Sequence, residues 1–195
     1  MSRTVFFTAT TLDGYLADEH DSLAWLFAQE GVDPETGEAP AEDPIHEFIA
    51  GVGALVMGAT TYRWVLDHLA RTGDAWPYDQ PTWVFTHQDL PLAADDVTLV
   101  QGEPTDHIEA MRAAAGDRDL WMVGGGDLAA QFAEAGLLDE LVLTIAPVTL
   151  GAGRPLFPRR WDLRLTGHEQ NGPFLCARYD VVGPGRWDED HAAER

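Results

Sequence analysis

Three consecutive glycines stand where a short apolar run gives way to a helix-like pattern. Gly124, Gly125 and Gly126 directly follow residues 120–123, a run typical of a buried parallel strand. Glycine adopts positive φ angles and lets a ligand approach the backbone closely. The free N–H groups at a helix N-terminus bind phosphate without a basic side chain, and this chain has no lysine. The pattern predicts a phosphate-binding turn; the alternative is a tight strand–helix turn with no ligand.

This turn formally matches G-x-G-x-x-A, a variant of the dinucleotide-binding fingerprint. In its usual setting the fingerprint follows the first strand, and an acidic residue at the end of the next strand holds a ribose. Here the turn comes late in the chain, and residues 145–148 end the following strand without an acid. We therefore keep the phosphate-binding hypothesis and reject the Rossmann topology.

A second glycine follows a second buried strand pattern. Gly58 ends the apolar run 54–57 and leads through Thr60 and Thr61 into a helix pattern. A helix start that carries hydroxyl groups is a second candidate phosphate site. The alternative is that either threonine simply caps the helix.

Two further strand ends carry side chains suited to substrate chemistry. Asp13 follows the strand 5–10 and is the only acid in its turn, so it is a candidate for a substrate contact or a proton relay. Arg154 is the one cation in the glycine loop 150–157, and a guanidinium suits bidentate contacts to phosphate or carboxylate. The alternatives are an Asx turn at Asp13 and a surface ion pair at Arg154.

The elements that would position these residues alternate between strands and helices. Strands are predicted at 5–10, 54–57, 82–86, 97–100, 120–123 and 141–148, followed by an antiparallel pair at 164–169 and 174–182. Helices are predicted to begin at Asp43-Pro44, after Gly58, at Pro104 and at Asp127, the last two ending at Gly116 and Gly136. This order predicts a three-layer α/β/α sandwich with a mostly parallel central sheet and antiparallel C-terminal strands. Ligands are expected at the carboxyl ends of its strands.

The 195 residues correspond to one domain. We assign residues 1–183 to that domain and 184–195 to a polar C-terminal tail. Residues 31–42 are rich in glycine, proline and glutamate, which predicts a mobile loop and a candidate lid.

Charge and composition exclude several classes of partner. The formal net charge is −21, so neither nucleic acid nor an anionic membrane is an expected partner. The lone Cys176 excludes an internal disulfide and a thiolate cluster, and its neighbours predict a core strand position; no metal site is expected. The sequence shows no signal-peptide pattern and no apolar run of about 18 residues, which predicts a cytoplasmic protein. The partner expected is a small-molecule substrate.

Five motifs taken together are specific. They are TLDGYLA at 11–17, MGATTY at 57–62, VGGG at 123–126, LDEL at 138–141 and APVTLGAG at 146–153. Over residues 5–182, the chain resembles the dihydrofolate reductase-like superfamily. The branch that it resembles is the C-terminal reductase domain of the bacterial bifunctional deaminase–reductase of riboflavin biosynthesis.

The resemblance implies a reductase that binds NADPH, or alternatively NADH, across the strand ends. The pyrophosphate would lie at the triple-glycine turn and the helix start after Gly58, with the adenosine ribose near residues 86–87. The implied cofactor-binding residues are Gly58, Thr60, Thr61, Thr86, His87, Gly124, Gly125, Gly126, Asp127 and Leu128. The expected substrate-binding residues are Trp25, Leu150, Gly151 and Arg154, with Asp13 as the candidate catalytic residue. Relatives in that family are commonly dimers, so a homodimer is expected.

Three departures limit what carries over from that family. Phe7 stands where the riboflavin enzyme usually has a basic residue, and Ala59 stands where it usually has an arginine. The chain has no P-C-x-x-C zinc motif, which predicts a stand-alone reductase-like domain. Without an arginine at position 59, we expect only a weak preference for NADPH over NADH, with His87 as the remaining cation. A lone histidine after a strand is, alternatively, only solvated.

Three hypotheses on function follow from these residues. The first is an NADPH-dependent reductase of a small heterocycle, similar to the 5-amino-6-(5-phosphoribosylamino)uracil reductase of riboflavin biosynthesis. The second is a non-catalytic nucleotide-binding or regulatory module, which Phe7 and Ala59 favour somewhat. The third, ranked last, is dihydrofolate reduction, which needs a buried acid on the helix after the first strand; Glu47 is the nearest match.

Overall fold

The structure of the chain is a computed structural model that describes residues 2–29 and 48–185. Its elements, in chain order, are β1 (Thr4–Thr11), β2 (Tyr15–Ala17), α1 (Ala24–Phe27), β3 (Val52–Gly58), α2 (Ala59–Thr72), β4 (Thr82–Phe85), β5 (Val97–Val100), α3 (Pro104–Ala115), β6 (Asp119–Gly124), α4 (Gly126–Glu134), β7 (Glu140–Ala146), β8 (Arg154–Pro155), β9 (Trp161–Asn171) and β10 (Phe174–Pro184). Residues 48–50 are also helical. The predicted loop 31–42, the helix start at Asp43-Pro44, Glu47 and residues 186–195 lie outside the described residues.

Eight strands form one sheet in the order β5-β4-β3-β6-β1-β7-β10-β9. The pairs from β5 through to β7 are parallel, whereas β10 runs antiparallel to both β7 and β9. Strands β2 and β8 form a separate antiparallel ribbon. The prediction of a mostly parallel sheet with antiparallel C-terminal strands is confirmed. Because β3, β4, β6, β1 and β7 are parallel, their carboxyl ends share one edge of the sheet.

Helices cover both faces of this sheet. On one face, α3 and α4 bury Met111 and Phe132 against Phe6 of β1. On the opposite face, α2 buries Tyr62 against Val84 of β4. The predicted three-layer α/β/α sandwich is therefore confirmed. No helix within residues 2–29 and 48–185 is long and apolar enough to cross a membrane.

Helix α3 shows why its bounds could be predicted from sequence. Pro104 occupies its first turn, and Glu103 forms a capping box with Asp106, so two free N–H groups at the helix start are satisfied. Gly116, with φ of 67°, directly follows the last helical residue. Proline, caps and glycine are local signals, and this helix begins and ends as predicted.

The prediction that Asp127 caps helix α4 is wrong. Gly125, at φ of 106°, is the N-cap, and Asp127 lies inside the first turn, where it accepts a hydrogen bond from Gln131 Nε2 at 2.8 Å. A left-handed glycine already turns the chain out of β6, so the N-cap lies two residues earlier than the aspartate pattern suggests. Gly136, with φ of 68°, follows the helix where a stop was expected.

Strand β7 ends at Ala146, two residues before the predicted end. The Val148 N–H bonds back to the Ala146 carbonyl at 2.8 Å, so the chain turns there. The segment predicted as a glycine loop at 150–157 contains the short strand β8, which pairs with β2. That pairing joins residues about 140 positions apart and leaves no local pattern.

Candidate functional site

Two helix N-termini meet at the carboxyl edge of the sheet. Gly58 is the N-cap of α2 at the end of β3, and Gly125 is the N-cap of α4 after β6. The strands β3 and β6 are neighbours, and a Cβ built on Gly125 would lie 3.8 Å from the Gly58 nitrogen. We call residues 58–61 and 124–126 the glycine cradle. It brings together the two phosphate sites that the sequence predicted separately.

Each of the three consecutive glycines has a structural reason. A Cβ on Gly124 would lie 2.7 Å from the Thr61 hydroxyl oxygen, so Gly124 lets β6 pack against α2. A Cβ on Gly126 would overlap the Pro155 carbonyl oxygen, so Gly126 lets β8 approach α4. Gly125 adopts a φ of 106°, which side chains rarely tolerate. Tight packing and a positive φ are therefore sufficient to explain the triple glycine.

Gly58 is different because nothing around it requires a glycine. Its φ is −85°, and a Cβ built there would meet no atom within 4 Å. The side-chain position of Gly58, at the start of α2, therefore faces open space. Bare helix N–H groups with space in front of them are the arrangement that accepts a phosphate oxygen, so the cradle fits a phosphate-bearing cofactor.

The alternative role of the two threonines as helix caps is wrong. Helix α2 has Gly58 as its N-cap and makes no side-chain capping bond. Thr61 packs on Gly124, whereas Thr60 is exposed at the rim of the cradle. Leu128 is buried in the core below α4, so only its backbone lies near this edge.

Asp13 connects the turn after β1 to the segment after β7. Its carboxylate accepts hydrogen bonds from the Thr11 hydroxyl at 2.6 Å and from the N–H groups of Leu150 at 3.1 Å and Gly151 at 2.7 Å. The Thr11 hydroxyl first, and then the Gly151 N–H, lower the pKa of the Asp13 carboxyl below its usual range. Asp13 is therefore a charged acceptor at neutral pH, which does not suit a resting proton donor.

Further bonds make these two segments a single unit. The Leu12 N–H donates to Val148 O at 2.8 Å, and the Leu156 N–H donates to Gly14 O at 2.8 Å. The ribbon of β2 and β8 continues the pairing. We call residues 11–17 and 148–156 the latched loops. Because β8 abuts Gly126, the latched loops lie directly beside the glycine cradle.

Arg154 forms an ion pair within this region. Its guanidinium bonds the carboxylate of Asp21, with Nη2 at 3.2 Å from Oδ2, and both side chains are partly exposed. This is the surface ion pair that the sequence left as an alternative. A substrate contact by Arg154 would have to replace or share Asp21, and it stays a prediction.

Trp25 and its neighbours attach α1 to α2. Trp25 is only 8% exposed, so it offers little of its ring to a substrate in this conformation. Within the described residues, its indole N–H is buried without a hydrogen-bond partner. Phe27 stacks on Trp64 of α2, with ring centroids 6.1 Å apart and planes at 11°. Helix α1 is thus fixed to the same helix whose start forms the cradle.

The segment after β4 borders the cradle on the side of β5. Thr86 is buried, and its hydroxyl oxygen accepts the Gln88 N–H at 2.9 Å, so it stabilises a turn. His87 is exposed at this turn. The Tyr62 hydroxyl also bonds to the backbone at Pro91 and Ala93, which the sequence did not predict. Tyr62 fits the apolar stripe of α2, and that pattern does not reveal a role for its hydroxyl group.

A groove on the face of the sheet lies apart from this edge. Its cavity of about 350 Å³ is bordered by Phe7, Val142, Cys176 and Arg178. Phe7 is buried and meets Phe48 edge to face, with ring centroids 4.6 Å apart. Burial raises the pKa of the Cys176 thiol, so it is not a reactive thiolate. In the described parts of the chain, no three His, Cys, Asp or Glu side chains gather as metal ligands would.

The sheet order, the helix layers and the edge cradle define a dihydrofolate reductase-like fold. The chain belongs to the RibD C-terminal domain family, whose model matches residues 3–177. That family is a reductase domain of riboflavin biosynthesis.

Relatives and solved structures agree with this assignment. The chain is 28% identical to the uncharacterized protein YwjB of Bacillus subtilis (strain 168), over 91% of this chain and 97% of that protein. A putative riboflavin biosynthesis protein from Shewanella sp. PV-4 is 29% identical, with a TM-score of 0.74 over 92% of this chain and 99% of its own. A Thermotoga maritima diaminohydroxyphosphoribosylaminopyrimidine deaminase/5-amino-6-(5-phosphoribosylamino)uracil reductase shares the fold, at 14% identity and a TM-score of 0.60, over 93% of this chain and 57% of its own.

Proposed function

We propose that this chain is an NADPH-dependent reductase of a small heterocyclic substrate, similar to 5-amino-6-(5-phosphoribosylamino)uracil reductase. The observation that carries the proposal is the open space at Gly58, where the starts of α2 and α4 meet. Two helix N-termini compensate the charge of a pyrophosphate, which matters in a chain with a net charge of −21. Membership of a reductase family supports the same conclusion.

The sheet order supports one direction for the bound dinucleotide. The cradle lies at β3 and β6, the latched loops follow β1 and β7, and the turn at His87 follows β4 on the other side. We propose that the nicotinamide faces the latched loops and the adenosine faces residues 86–87. When bound, NADPH supplies the hydride, and the protein supplies position and electrostatics.

The substrate is proposed to contact the latched loops. The N–H groups of Leu150 and Gly151 donate to Asp13, which fixes the loop. The substrate would therefore contact other atoms of these two residues. Arg154 would bind an anionic group of the substrate, and Trp25 would border a flat ring. A proton relay by Asp13 would require release of at least one of its three donors.

A non-catalytic nucleotide-binding module is the second candidate. Two observations favour it: Phe7 is an apolar core residue where the resembled enzyme has a basic one, and Asp13 is committed to backbone N–H groups. Such a module would keep the glycine cradle and lack substrate chemistry. Dihydrofolate reduction has no supporting observation, since Glu47 lies outside the described residues.

The test is NADPH oxidation by the purified protein with a panel of pyrimidine, pterin and flavin substrates. We expect saturable oxidation with at least one member of the panel. Saturable NADPH binding without oxidation across the panel would support the module. Absence of NADPH binding would overturn both functions.

We also propose that the chain forms a homodimer. Strand β9 is an eleven-residue edge of the sheet, and its Leu163 and Leu165 are 39% and 53% exposed. Long edges with exposed apolar side chains are usually covered. Light scattering at working concentration and moderate salt should give the mass of a dimer, and a monomer mass would refute this.

A further inference from the structure

We propose that Tyr62 is a positioning residue for the cofactor: its hydroxyl holds the segment 86–96 in place for the adenosine half of the dinucleotide. The inference rests on the proposed function, because it assumes a dinucleotide in the glycine cradle. In this proposal Tyr62 contacts neither the phosphates nor the adenine ring of the cofactor. It acts through the backbone of the segment beside β4.

The hydroxyl of Tyr62 fixes one short stretch of backbone at two points. It donates to Pro91 O at 2.9 Å and accepts the Ala93 N–H at 2.8 Å. The side chain is fully buried, and its ring meets Trp76 edge to face at 5.8 Å. Burial raises the pKa of the Tyr62 phenol, so the group is neutral and can donate and accept at once.

Segment 86–96 is held by these two bonds and by the packing of Leu90, Ala93 and Ala94 against the core. It joins β4 to β5 without a helix or a strand of its own. Its ends are held by the Thr86 turn and by the bond from Val97 N–H to Ala94 O at 3.3 Å. Among the described residues, the only hydrogen bonds to 89–93 come from Tyr62. Removing the hydroxyl should therefore free the middle of the segment while its ends stay attached.

The position of the segment points to the adenosine half. Strand β4 lies on the far side of β3 from β6 and β1. A dinucleotide with its phosphates at the cradle and its nicotinamide at the latched loops must extend its adenosine toward β4. Tyr62 lies four residues after Gly58, so one helix both begins at the phosphate site and anchors the segment beyond it.

A purely structural tyrosine would behave differently from a positioning residue. Loss of a structural bond lowers the stability of the whole domain and changes affinity for both halves of the cofactor, or for neither. Loss of a positioning bond changes affinity for the adenosine half alone. The two halves of the cofactor can be offered separately, which turns this difference into a measurement.

The experiment compares Tyr62→Phe with Tyr78→Phe by calorimetry. Tyr78 belongs to the same aromatic cluster, 5.2 Å from Trp76, and no hydrogen bond of its hydroxyl is present among the described residues. The probes are NADPH, adenosine 2′,5′-bisphosphate for the adenosine half, and reduced nicotinamide mononucleotide at millimolar concentration for the other half. Hydrogen exchange at the Ala93 amide reports on the segment itself.

Tyr62→Phe loses both anchoring bonds, but these act on the segment and not on the cofactor itself. It should therefore weaken NADPH and adenosine 2′,5′-bisphosphate by about 3- to 10-fold, the effect of one typical hydrogen bond. It should leave reduced nicotinamide mononucleotide unchanged and accelerate exchange at Ala93. Tyr78→Phe should match the wild type with all three probes. Ala93→Pro removes the N–H donor without touching the buried ring and should reproduce the selective loss if Tyr62→Phe fails to fold.

The outcomes separate two failures. A wild-type protein that binds none of the probes overturns the proposed function and this inference with it. A wild-type protein that binds NADPH while Tyr62→Phe binds it equally well overturns this inference alone. Equal weakening of both half-cofactors would also overturn it, because that is the result for a structural bond.

Discussion

The glycine cradle and the latched loops lie side by side and have opposite designs. At the cradle, neither helix start carries a side-chain cap, and a Cβ on Gly58 would meet nothing within 4 Å. In the latched loops, the polar groups already bond to one another: Asp13 to Gly151, and Arg154 to Asp21. The cradle therefore suits an anionic ligand, whereas most polar groups of the latched loops are already used in internal bonds.

That difference separates two kinds of recognition. A phosphate is bound by bare backbone, so the chain needs few particular side chains at the cradle. A substrate at the loops must be selected by the groups that remain free after the internal bonds are made. Cofactor binding should therefore be lost by filling space, and substrate binding should be lost by releasing the latch.

Filling the cradle should have the largest effect. Gly58→Val places a branched Cβ in the open space without backbone strain, because φ is −85° there. Overpacking costs of about 1–3 kcal/mol correspond to a loss of NADPH affinity of roughly 5- to 150-fold. The measurement is the dissociation constant by calorimetry, together with the melting temperature.

Gly183→Val is the matched control for this variant. Gly183 also has no atom within 4 Å of a built Cβ and lies in β10, away from the cradle. It should bind NADPH like the wild type. Gly125→Val is less informative, since a φ of 106° would strain the fold as well. Unchanged affinity in a folded Gly58→Val protein would remove the cradle from cofactor binding.

Releasing the latch should affect the substrate and spare the cofactor. Asp13→Asn replaces one carboxylate oxygen with an N–H₂ group, which cannot accept a hydrogen bond. At least one of the bonds from the N–H groups of Leu150 and Gly151 would then be weakened or lost. We expect the KM for the substrate to rise about tenfold or more, as for loss of a charge-assisted hydrogen bond, while the NADPH dissociation constant stays constant. Equal changes in both constants would mean that the two regions are not separate.

The same variant should change stability in acid. Hydrogen bonds lower the pKa of Asp13 in the folded protein, so its carboxylate stabilises the fold above its unfolded pKa of about 3.9. That contribution is lost as pH falls through the lowered folded pKa. The melting temperature of the wild type should therefore approach that of Asp13→Asn below this range. A constant difference between the two proteins down to the lowest pH would contradict the latch.

Arg154 and Asp21 should show whether the ion pair or the substrate uses the guanidinium. If Arg154 binds an anionic substrate group, Arg154→Ala should raise the KM by about tenfold, and Asp21→Ala should lower it slightly by freeing the guanidinium. If the pair only fastens the ribbon of β2 and β8, both variants should raise the KM equally. Steady-state kinetics with the substrate identified from the panel distinguishes these results.

The smallest effect concerns His87 and the 2′-phosphate of NADPH. His87 is exposed beside the segment that we assign to the adenosine, and an imidazole N–H can donate a hydrogen bond to a phosphate oxygen. The ratio of kcat/KM for NADPH to that for NADH should fall a few-fold in His87→Ala, as for the loss of one hydrogen bond. An identical ratio in the wild type and in His87→Ala would show that His87 does not contact the phosphate.

Local sequence patterns were sufficient to predict the order of the helices and strands and the layered fold. Pro104 and Gly116 bound a helix as expected, and the glycines that end β3 and β6 mark the cradle. Such signals are reliable because helix caps, turns and buried strands are determined by residues that lie close together in the sequence. The prediction that Asp127 caps α4 was also based on a local pattern, and it was wrong because the left-handed Gly125 is the N-cap.

Long-range bonds could not be predicted in this way. Nothing in the sequence near Asp13 indicates Leu150 and Gly151 as its partners, and the Tyr62 hydroxyl reaches residues about 30 positions away. The reason for Gly126 is the approach of Pro155, which depends on the paired ribbon. The proposed cofactor site could be located from sequence because it is made of local turns, whereas the proposed substrate site is made of contacts between distant segments.

Whether the glycine cradle binds the cofactor is tested most directly by titrating the isotope-labelled protein with NADPH and monitoring the NMR chemical shifts of its backbone amides. We predict saturable shifts concentrated at the starts of α2 and α4, among them the amides of Gly58, Thr61, Gly125 and Gly126, with smaller shifts in segment 86–96. Shifts confined to the groove lined by Phe7 and Cys176, or no saturable shifts, would contradict the assignment of the glycine cradle as the cofactor site.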